Sequence, residues 1–171
     1  MSFSSGFVSF RDPTRELSLP ATPPPAPPGA ARAAAVETDV IDLEVVNQRL
    51  LDAIATGDFL TYSCLVADDL TCFEPEACGH LVEGVGFHKY YFDLLRDDAA
   101  AVPSNATMVA PRYRVLGDTA IVAYVRVVQR GRSTTRCEET RVWRRVEGDS
   151  ALTKWRLVHF HRSAPANAYG S

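Results

Sequence analysis

Four long stretches of alternating apolar and polar residues follow one another in the second half of the chain, and they limit its possible folds more than any other feature. Alternation with a period of two is typical of strands that bury one face. The predicted strands are Met108–Leu116, Thr119–Gln129, Thr135–Val146 and Trp155–Arg162. Only short turns separate them, among them Gly117-Asp118. Because no helical pattern intervenes, we expect the strands to pair antiparallel.

Helical periodicity precedes these strands. Apolar residues recur every three or four positions from Leu43 to Ile54, after a possible cap at Thr38 or Asp39. Gly57 is predicted to end this helix, and Asp58 to cap the next one. Two further helices and two short strands are predicted: helices Phe59–Val66 and Gly84–Leu95, and strands Leu70–Glu74 and His80–Glu83. Helices followed by an antiparallel sheet predict an α+β fold, with a curved sheet that wraps a helix as a cone and leaves a pocket inside.

The first 36 residues have a different composition from the rest. They contain seven of the eleven prolines and no apolar periodicity, so this segment buries too little apolar surface to offset its ordering entropy. We expect a disordered tail over 1–36, a globular domain over 37–166 and a short tail over 167–171. The tail has polyproline II character, and a partner that reads Pro-rich motifs is one expectation for it, a plain spacer the other.

Charge and length exclude several classes of protein. The net charge of −3 disfavours a nucleic-acid binder, and no apolar run approaches the roughly 18 residues of a membrane span. The four cysteines form no C-x-x-C pair, so we expect buried, reduced thiols, no zinc site and a cytoplasmic location. No G-x-S-x-G motif and no Gly-rich phosphate loop occur, and no cofactor is expected.

Three arginines lie within predicted strands among large apolar neighbours. By alternation, Arg126, Arg141 and Arg162 each share a strand face with apolar residues such as Val122, Trp143 and Phe160. A buried guanidinium is costly without an anionic partner. Two arrangements remain open: an internal arginine cluster, or side chains that face solvent. A cluster would need a counter-ion, either Glu138 or Glu139 or an external anion.

The histidines offer weaker candidates. His159 and His161 share a strand face, but a third metal ligand is missing, so no metal site is predicted. Trp155 and Leu157 are expected on that same face, by simple alternation. His88 lies in the aromatic third helix, where it could face the pocket or bond a backbone carbonyl.

With these residues in view, the sequence resembles the association (hub) domain of calcium/calmodulin-dependent protein kinase II, a member of the nuclear transport factor 2-like, or SnoaL-like, superfamily. The resemblance covers about residues 39–166. It rests on six segments in the same order: Leu50–Phe59, Phe73–Ala77, Leu81–Gly84, Phe87–Phe92, Glu138–Trp143 and Lys154–Ser163.

The resemblance implies a cone-shaped fold in which a long N-terminal helix is cradled by a curved antiparallel sheet. It implies a non-catalytic homo-oligomer of two stacked rings, typically with twelve or fourteen subunits, that holds kinase subunits together. It also implies a pocket for small carboxylates or acidic peptide groups. The matching pocket positions are Arg126, Arg141, Arg162, His88 and Tyr62. An aromatic residue of the family is replaced by Arg96, which makes aromatic gating of the pocket doubtful here.

Two other functions are alternatives to a ring-forming scaffold. Enzymes of the isomerase or dehydratase type use the same cone, with a positioned carboxylate or histidine base. His88 with Tyr62 or Glu139 could serve in that way, but several arginines in one pocket favour holding an anion. A small dimeric binding module without a ring is the other rival.

Overall fold

The computed structural model describes residues 28–97, 102 and 104–167. Within these described residues, four α-helices, a short 3-10 helix (Pro75–Ala77) and seven strands follow one another. The helices are α1 (Pro28–Thr56), α2 (Phe59–Leu65), α3 (Gly86–Asp97) and α4 (Ala151–Lys154). The strands are β1 (Val66–Phe73), β2 (Val82–Glu83), β3 (Ser104–Leu116), β4 (Thr119–Arg130), β5 (Ser133–Arg145), β6 (Trp155–Arg162) and β7 (Ala166–Asn167).

All seven strands belong to one curved sheet, in which six lie in the order β2-β1-β6-β5-β4-β3 and β7 pairs with β5. The long strands β3 to β6 pair antiparallel, as the sequence predicts. β1 runs parallel to β6 and antiparallel to β2. The α+β fold with a long helix against a curved antiparallel sheet is therefore confirmed. No helix of the described residues is both long and apolar enough to cross a membrane.

The core lies between α1 and the inner face of the sheet. Leu43, Val46 and Leu50 of α1 are fully buried, at the helical spacing that the sequence indicates. Trp143 and Trp155 are fully buried on the sheet side of this core. Such burial of large apolar side chains is the main source of stability for a domain of this size.

The start of α1 differs from the prediction. The helix begins at Pro28, not at Thr38 or Asp39, so the expected disorder is wrong for residues 28–36. Five alanines between residues 30 and 35 explain the difference, because alanine has the highest helix propensity and proline is tolerated in a first turn. Residues 1–27 and 168–171, and with them most of both predicted tails, lie outside the described residues. The division into a domain over 37–166 and two tails stays a prediction.

The N-terminal part of α1 is exposed as far as the structure describes its surroundings. Residues 29–38 are all exposed, and the first buried residue is Asp39. The Asp39 carboxylate pairs with Arg145 and with Lys154, whose Nζ lies 3.0 Å from Oδ1. These ion pairs mark the point at which α1 joins the body of the molecule.

A β-bulge in β6 reverses the predicted side-chain faces at the end of that strand. Val142 pairs with His159 but Trp143 pairs with Leu157, so Val158 is one extra residue in β6. Trp155 and Leu157 are therefore buried, whereas His159 lies on the opposite face with its Nδ1 2.8 Å from Thr71 Oγ1. The prediction that the tryptophan and leucine share a face with the histidines is wrong, because simple alternation counts no bulge.

Candidate binding site

A pocket of about 490 Å³ opens between the helices and the inner face of the sheet. It contains all five residues that the family resemblance assigns to a site: Arg126, Arg141, Arg162, His88 and Tyr62. Three strands supply the arginines, while α2 and α3 supply the tyrosine and the histidine. The structure thus brings the predicted residues together around one cavity. Among the residues that line it are four arginines and three glutamates.

Alternation along β5 places a carboxylate and a guanidinium at the base of the pocket. Glu139 and Arg141 are two residues apart, so both point inward, and each is only 2% exposed. Arg141 donates from Nε and Nη2 to Glu139 Oε2, at 3.1 and 2.9 Å. Arg126, on the neighbouring strand β4, donates from Nη1 to Glu139 Oε1 at 3.1 Å. Tyr124 also donates its hydroxyl hydrogen to Glu139.

Glu139 at the base of the pocket is ionised and carries a negative charge. Burial alone would raise the pKa of this carboxyl, but the charges of Arg141 and Arg126 and the hydrogen bond from Tyr124 outweigh it and lower the pKa to about 2. The pKa of Tyr124 is raised, chiefly by burial, so its hydroxyl stays protonated and donates. Two guanidinium groups therefore face one carboxylate, which leaves one positive charge in excess.

Two donors of these guanidinium groups have no partner among the described residues: Nη1 of Arg141 and Nε of Arg126. Both atoms are buried, and a buried donor without an acceptor is unfavourable. An anion that enters the pocket can supply an acceptor and at the same time offset the excess charge. The base of the pocket is thus chemically suited to a carboxylate.

A second ionic group lies further along the pocket wall. Arg162 of β6 donates from Nη2 to Glu74 Oε2 at 3.0 Å and also pairs with Glu76. His88 Nε2 lies 3.3 Å from the other oxygen of Glu74, Oε1. Burial opposes ionisation of Glu74, but hydrogen bonds from His88 and Arg162 prevail and lower its pKa. Glu74 and Glu76 therefore hold Arg162 in place, so that this arginine has less free donor capacity than Arg141.

Aromatic rings complete the pocket. Tyr62 is 2% exposed, and its ring meets that of His88 edge to face with centroids 5.7 Å apart. The guanidinium carbon of Arg141 lies 5.8 Å from the ring centroids of both Tyr124 and Phe160. Planar guanidinium groups stack favourably on aromatic faces, which fixes the orientation of Arg141. Burial raises the pKa of Tyr62, so this residue is a neutral wall residue.

Several features of the site answer questions that the sequence left open. The counter-ion is Glu139, whereas Glu138 points outward and binds the Ser163 hydroxyl. His88 faces the pocket, at 7% exposure. Glu74 was not predicted as a site residue, although it stands in one of the segments of the family resemblance. Periodicity assigned it to the end of a short strand and gave no sign of its partners in β6 and α3.

The cysteines also depart in part from the prediction. All four are free, as expected, but only Cys72 and Cys137 are buried, whereas Cys64 and Cys78 are exposed. Cys72 lies beside the pocket, with its Sγ 3.4 Å from His88 Nε2. No sequence pattern connects this cysteine with the histidine, which is 16 residues away on another element.

Comparisons with known proteins agree on one group of relatives. The family described as "Calcium/calmodulin dependent protein kinase II association domain" matches residues 38–166. The type II alpha chain of this kinase from Drosophila melanogaster is 42% identical over 133 residues, which are 74% of this chain and 24% of that protein. The type II kinase from Caenorhabditis elegans is 43% identical over 128 residues, 71% of this chain and 16% of that protein. This chain thus matches only about a quarter or less of these longer relatives.

Solved structures lead to the same group. The hub homology domain of this kinase from Chlamydomonas reinhardtii is 41% identical with a TM-score of 0.65, over 75% of this chain and 97% of that one. The association domain of the Caenorhabditis elegans kinase is 39% identical with a TM-score of 0.64, over 77% and 97%. A nuclear transport factor 2-like protein from Salmonella enterica, 20% identical with a TM-score of 0.61 over 78% and 96%, shares the fold.

Proposed function

This chain belongs to the family of calcium/calmodulin-dependent protein kinase II association domains, and from that premise we propose that it is a non-catalytic scaffold that assembles with copies of itself into a closed ring. The observation that carries this proposal is the match of residues 38–166 to the family. The ring that we propose consists of two stacked layers built from dimers, with twelve, fourteen or more subunits. Closed symmetry of this kind satisfies every interface of every subunit.

The surface of the single chain supports assembly. Of the large apolar side chains in the described part of the chain, four are more than half exposed, on three helices and at the end of a strand: Ile41, Leu60, Tyr90 and Leu116. Contacts between subunits would remove such side chains from water, which favours association.

The pocket has a separate role in this proposal, the binding of a small carboxylate or of an acidic peptide group. Arg141 and Arg126 provide the two unpartnered donors and the excess positive charge, and Arg162, His88 and Tyr62 form the wall. Charge-assisted hydrogen bonds to a carboxylate are the strongest that these groups can make. Holding the anion, with no chemistry on it, is the role that these contacts favour.

The N-terminal segment is the part of the chain that we propose to present to partners. Candidate partners are protein kinase subunits and a protein that reads Pro-rich motifs, because seven prolines lie before residue 29. A ring would display many copies of this segment, so that weak contacts gain effective concentration. The proposed location is the cytoplasm, where four free thiols stay reduced.

Light scattering on a sizing column tests the assembly. The chain has a mass of 18.7 kDa, so a ring of twelve or more subunits has a mass above about 200 kDa. A species of that size supports the proposal. A dimer of about 37 kDa across the concentration range overturns the ring and redirects attention to the pocket as an enzyme site.

Calorimetric titration with acetate tests the pocket. Arg141→Ala should weaken binding by about 10- to 100-fold, the effect expected for loss of a charge-assisted hydrogen bond. Arg144→Ala is the matched control, because Arg144 lies three residues further along β5 and is exposed. Equal affinity in the two variants contradicts the assignment of the pocket. Arg126→Ala, which removes a less buried donor, gives an independent measurement if Arg141→Ala does not fold.

A further inference from the structure

Three side chains with different metal-binding atoms converge beside the pocket. Cys72 lies on β1, Glu74 follows the end of that strand, and His88 lies on the first turn of α3. The sulfur, one carboxylate oxygen and one ring nitrogen all lie within 4.8 Å of one another. Among the residues that the structure describes, this is the one group of at least three such side chains with that spacing.

The separations between these atoms agree with the edges of a zinc coordination tetrahedron. His88 Nε2 is 3.3 Å from Glu74 Oε1, Cys72 Sγ is 3.4 Å from His88 Nε2, and Cys72 Sγ is 3.9 Å from Glu74 Oε1. Bond lengths typical of zinc place a nitrogen and an oxygen ligand about 3.4 Å apart, and a sulfur about 3.6 Å from either. Two of the three edges agree within about 0.2 Å, and the third is about 0.3 Å longer.

The surroundings hold the three ligands in position. Glu74 uses its other oxygen, Oε2, to accept a hydrogen bond from Arg162, so that Oε1 remains directed at the cysteine and the histidine. The His88 ring is fixed by its edge-to-face contact with Tyr62. All three side chains are nearly or fully buried. A site that is organised before the metal arrives loses little entropy on binding.

We infer that Cys72, Glu74 and His88 bind a divalent transition-metal ion, of which Zn²⁺ fits the mixture of sulfur, nitrogen and oxygen ligands. Glu74 and His88 line the pocket, whereas Cys72 lies behind them with no exposed surface. Three protein ligands would leave one coordination position of a tetrahedral ion for water or an anion. This site does not depend on ring assembly or on carboxylate binding by the arginines.

The metal-free protein keeps the cysteine as a thiol. Burial, together with the charge of Glu74, raises the pKa of Cys72 to about 12. A bound Zn²⁺ reverses this balance, because its charge lies closer to the sulfur than any other group, and coordination releases the thiol proton to solvent. His88 would bind through Nε2 with its own proton on Nδ1, an atom without a partner among the described residues.

Cobalt provides a direct readout, because Co²⁺ takes zinc sites and gives a thiolate-to-metal absorption band only when a cysteine coordinates it. The titration uses the untagged chain of residues 1–171, in which Cys64→Ser and Cys78→Ser remove the two exposed thiols. We expect a band that saturates at one Co²⁺ per chain and that disappears when Zn²⁺ is added. Cys72→Ser should abolish the band.

Two further variants make the test decisive. Cys137→Ser is the matched control, since Cys137 is the other buried cysteine and lies outside the group of three; it should retain the band. His88→Gln should weaken cobalt binding by about tenfold or more while leaving the thiol in place, and it decides the question if Cys72→Ser fails to fold. The inference is overturned by the absence of a band, by a band that persists in Cys72→Ser, or by cobalt affinity that is unchanged in His88→Gln.

Discussion

Glu139 is a single buried carboxylate that accepts hydrogen bonds from two guanidinium groups and a tyrosine. Its side chain has no exposed surface, and the neighbouring Arg141 is 2% exposed. The electrostatic attraction in a buried ion pair adds little net stability, because both charged groups lose their hydration. Their importance appears when one partner is removed, since the other charge is then left buried without compensation.

At the residue scale we therefore expect Glu139→Gln to destabilise the protein strongly. Removal of one member of a buried ion pair typically costs about 3–5 kcal/mol of unfolding free energy. Glu138→Gln is the matched control, because the adjacent side chain is exposed and faces the other way. Urea unfolding at one fixed chain concentration measures both variants. Similar midpoints for the two would contradict the central role of Glu139.

Acid should weaken the protein over a defined range of pH. The pKa of Glu139 falls from the ordinary 4.5 to about 2 on folding, and the pKa of Glu74 is lowered as well. A lowered pKa contributes stability that is present above the unfolded value and lost as the pH falls towards the folded one. For Glu139 this contribution is on the order of 3 kcal/mol, lost between about pH 5 and pH 2. Over that range, the unfolding midpoint of Glu139→Gln should change less with pH than the midpoint of the unsubstituted protein.

Strands β5 and β6 bring charged side chains to the pocket in different ways. β5 follows regular alternation, and Glu139, Arg141 and Trp143 are all buried as a result. β6 requires its bulge, because Val158 restores the inward direction after Leu157 and lets Arg162 reach the pocket. Arg141 thus reaches the pocket through the regular alternation of β5, and Arg162 reaches it because of the bulge in β6.

The turn between β5 and α4 has a position that requires glycine. A Cβ atom on Gly148 would lie 2.5 Å from the carbonyl carbon of Thr153, which is backbone and cannot move aside easily. Gly148→Ala should lower the unfolding free energy by about 1–3 kcal/mol, as overpacked positions do. Gly86→Ala is the control, since nothing lies within 4 Å of its Cβ position. Thermal unfolding that shifts equally in both variants would contradict this account.

The sequence predicted the elements better than it predicted the site. Long strands and amphipathic helices follow from local periodicity, so β6 was placed without error and α2 within one residue. Alternation also predicts which apolar residues share a strand face with Arg126 and Arg141, but it left open whether those faces point inward. The partnership of Glu74 with Arg162 and His88 joins residues far apart in the sequence, and it depends on the parallel pairing of β1 with β6. Neither that pairing nor the bulge has a local sequence signal.

In the molecule as a whole, residues 29–38 of α1 extend beyond the buried core. Residues 29–38 are all exposed, and the Thr38 hydroxyl donates a hydrogen bond to the Ala34 carbonyl within the helix. Helix propensity should therefore be a main source of their helical structure. Glycine costs an exposed helix about 1 kcal/mol relative to alanine. Ala31→Gly with Ala34→Gly should therefore reduce the helical circular dichroism signal.

The same double variant should leave the thermal midpoint and the mass in solution unchanged, because among the residues described from Gly29 onwards the first buried one is Asp39. The single substitution Ala53→Gly is the contrasting control, since Ala53 is fully buried in the core and loss of its methyl group should lower the midpoint. A lower midpoint in the first variant would indicate that residues 29–38 pack against another subunit.

The exposed stretch of α1 also determines how far the start of the helix lies from Asp39. An α-helix rises 1.5 Å per residue, so the eleven residues from Pro28 to Thr38 place the start of α1 about 16 Å beyond the point at which Asp39 anchors it. Within a ring, each subunit would carry such a rod at the same angle. The segments that precede α1 would then start at evenly spaced points around the ring. The geometry of the ring would set the position and direction of each one.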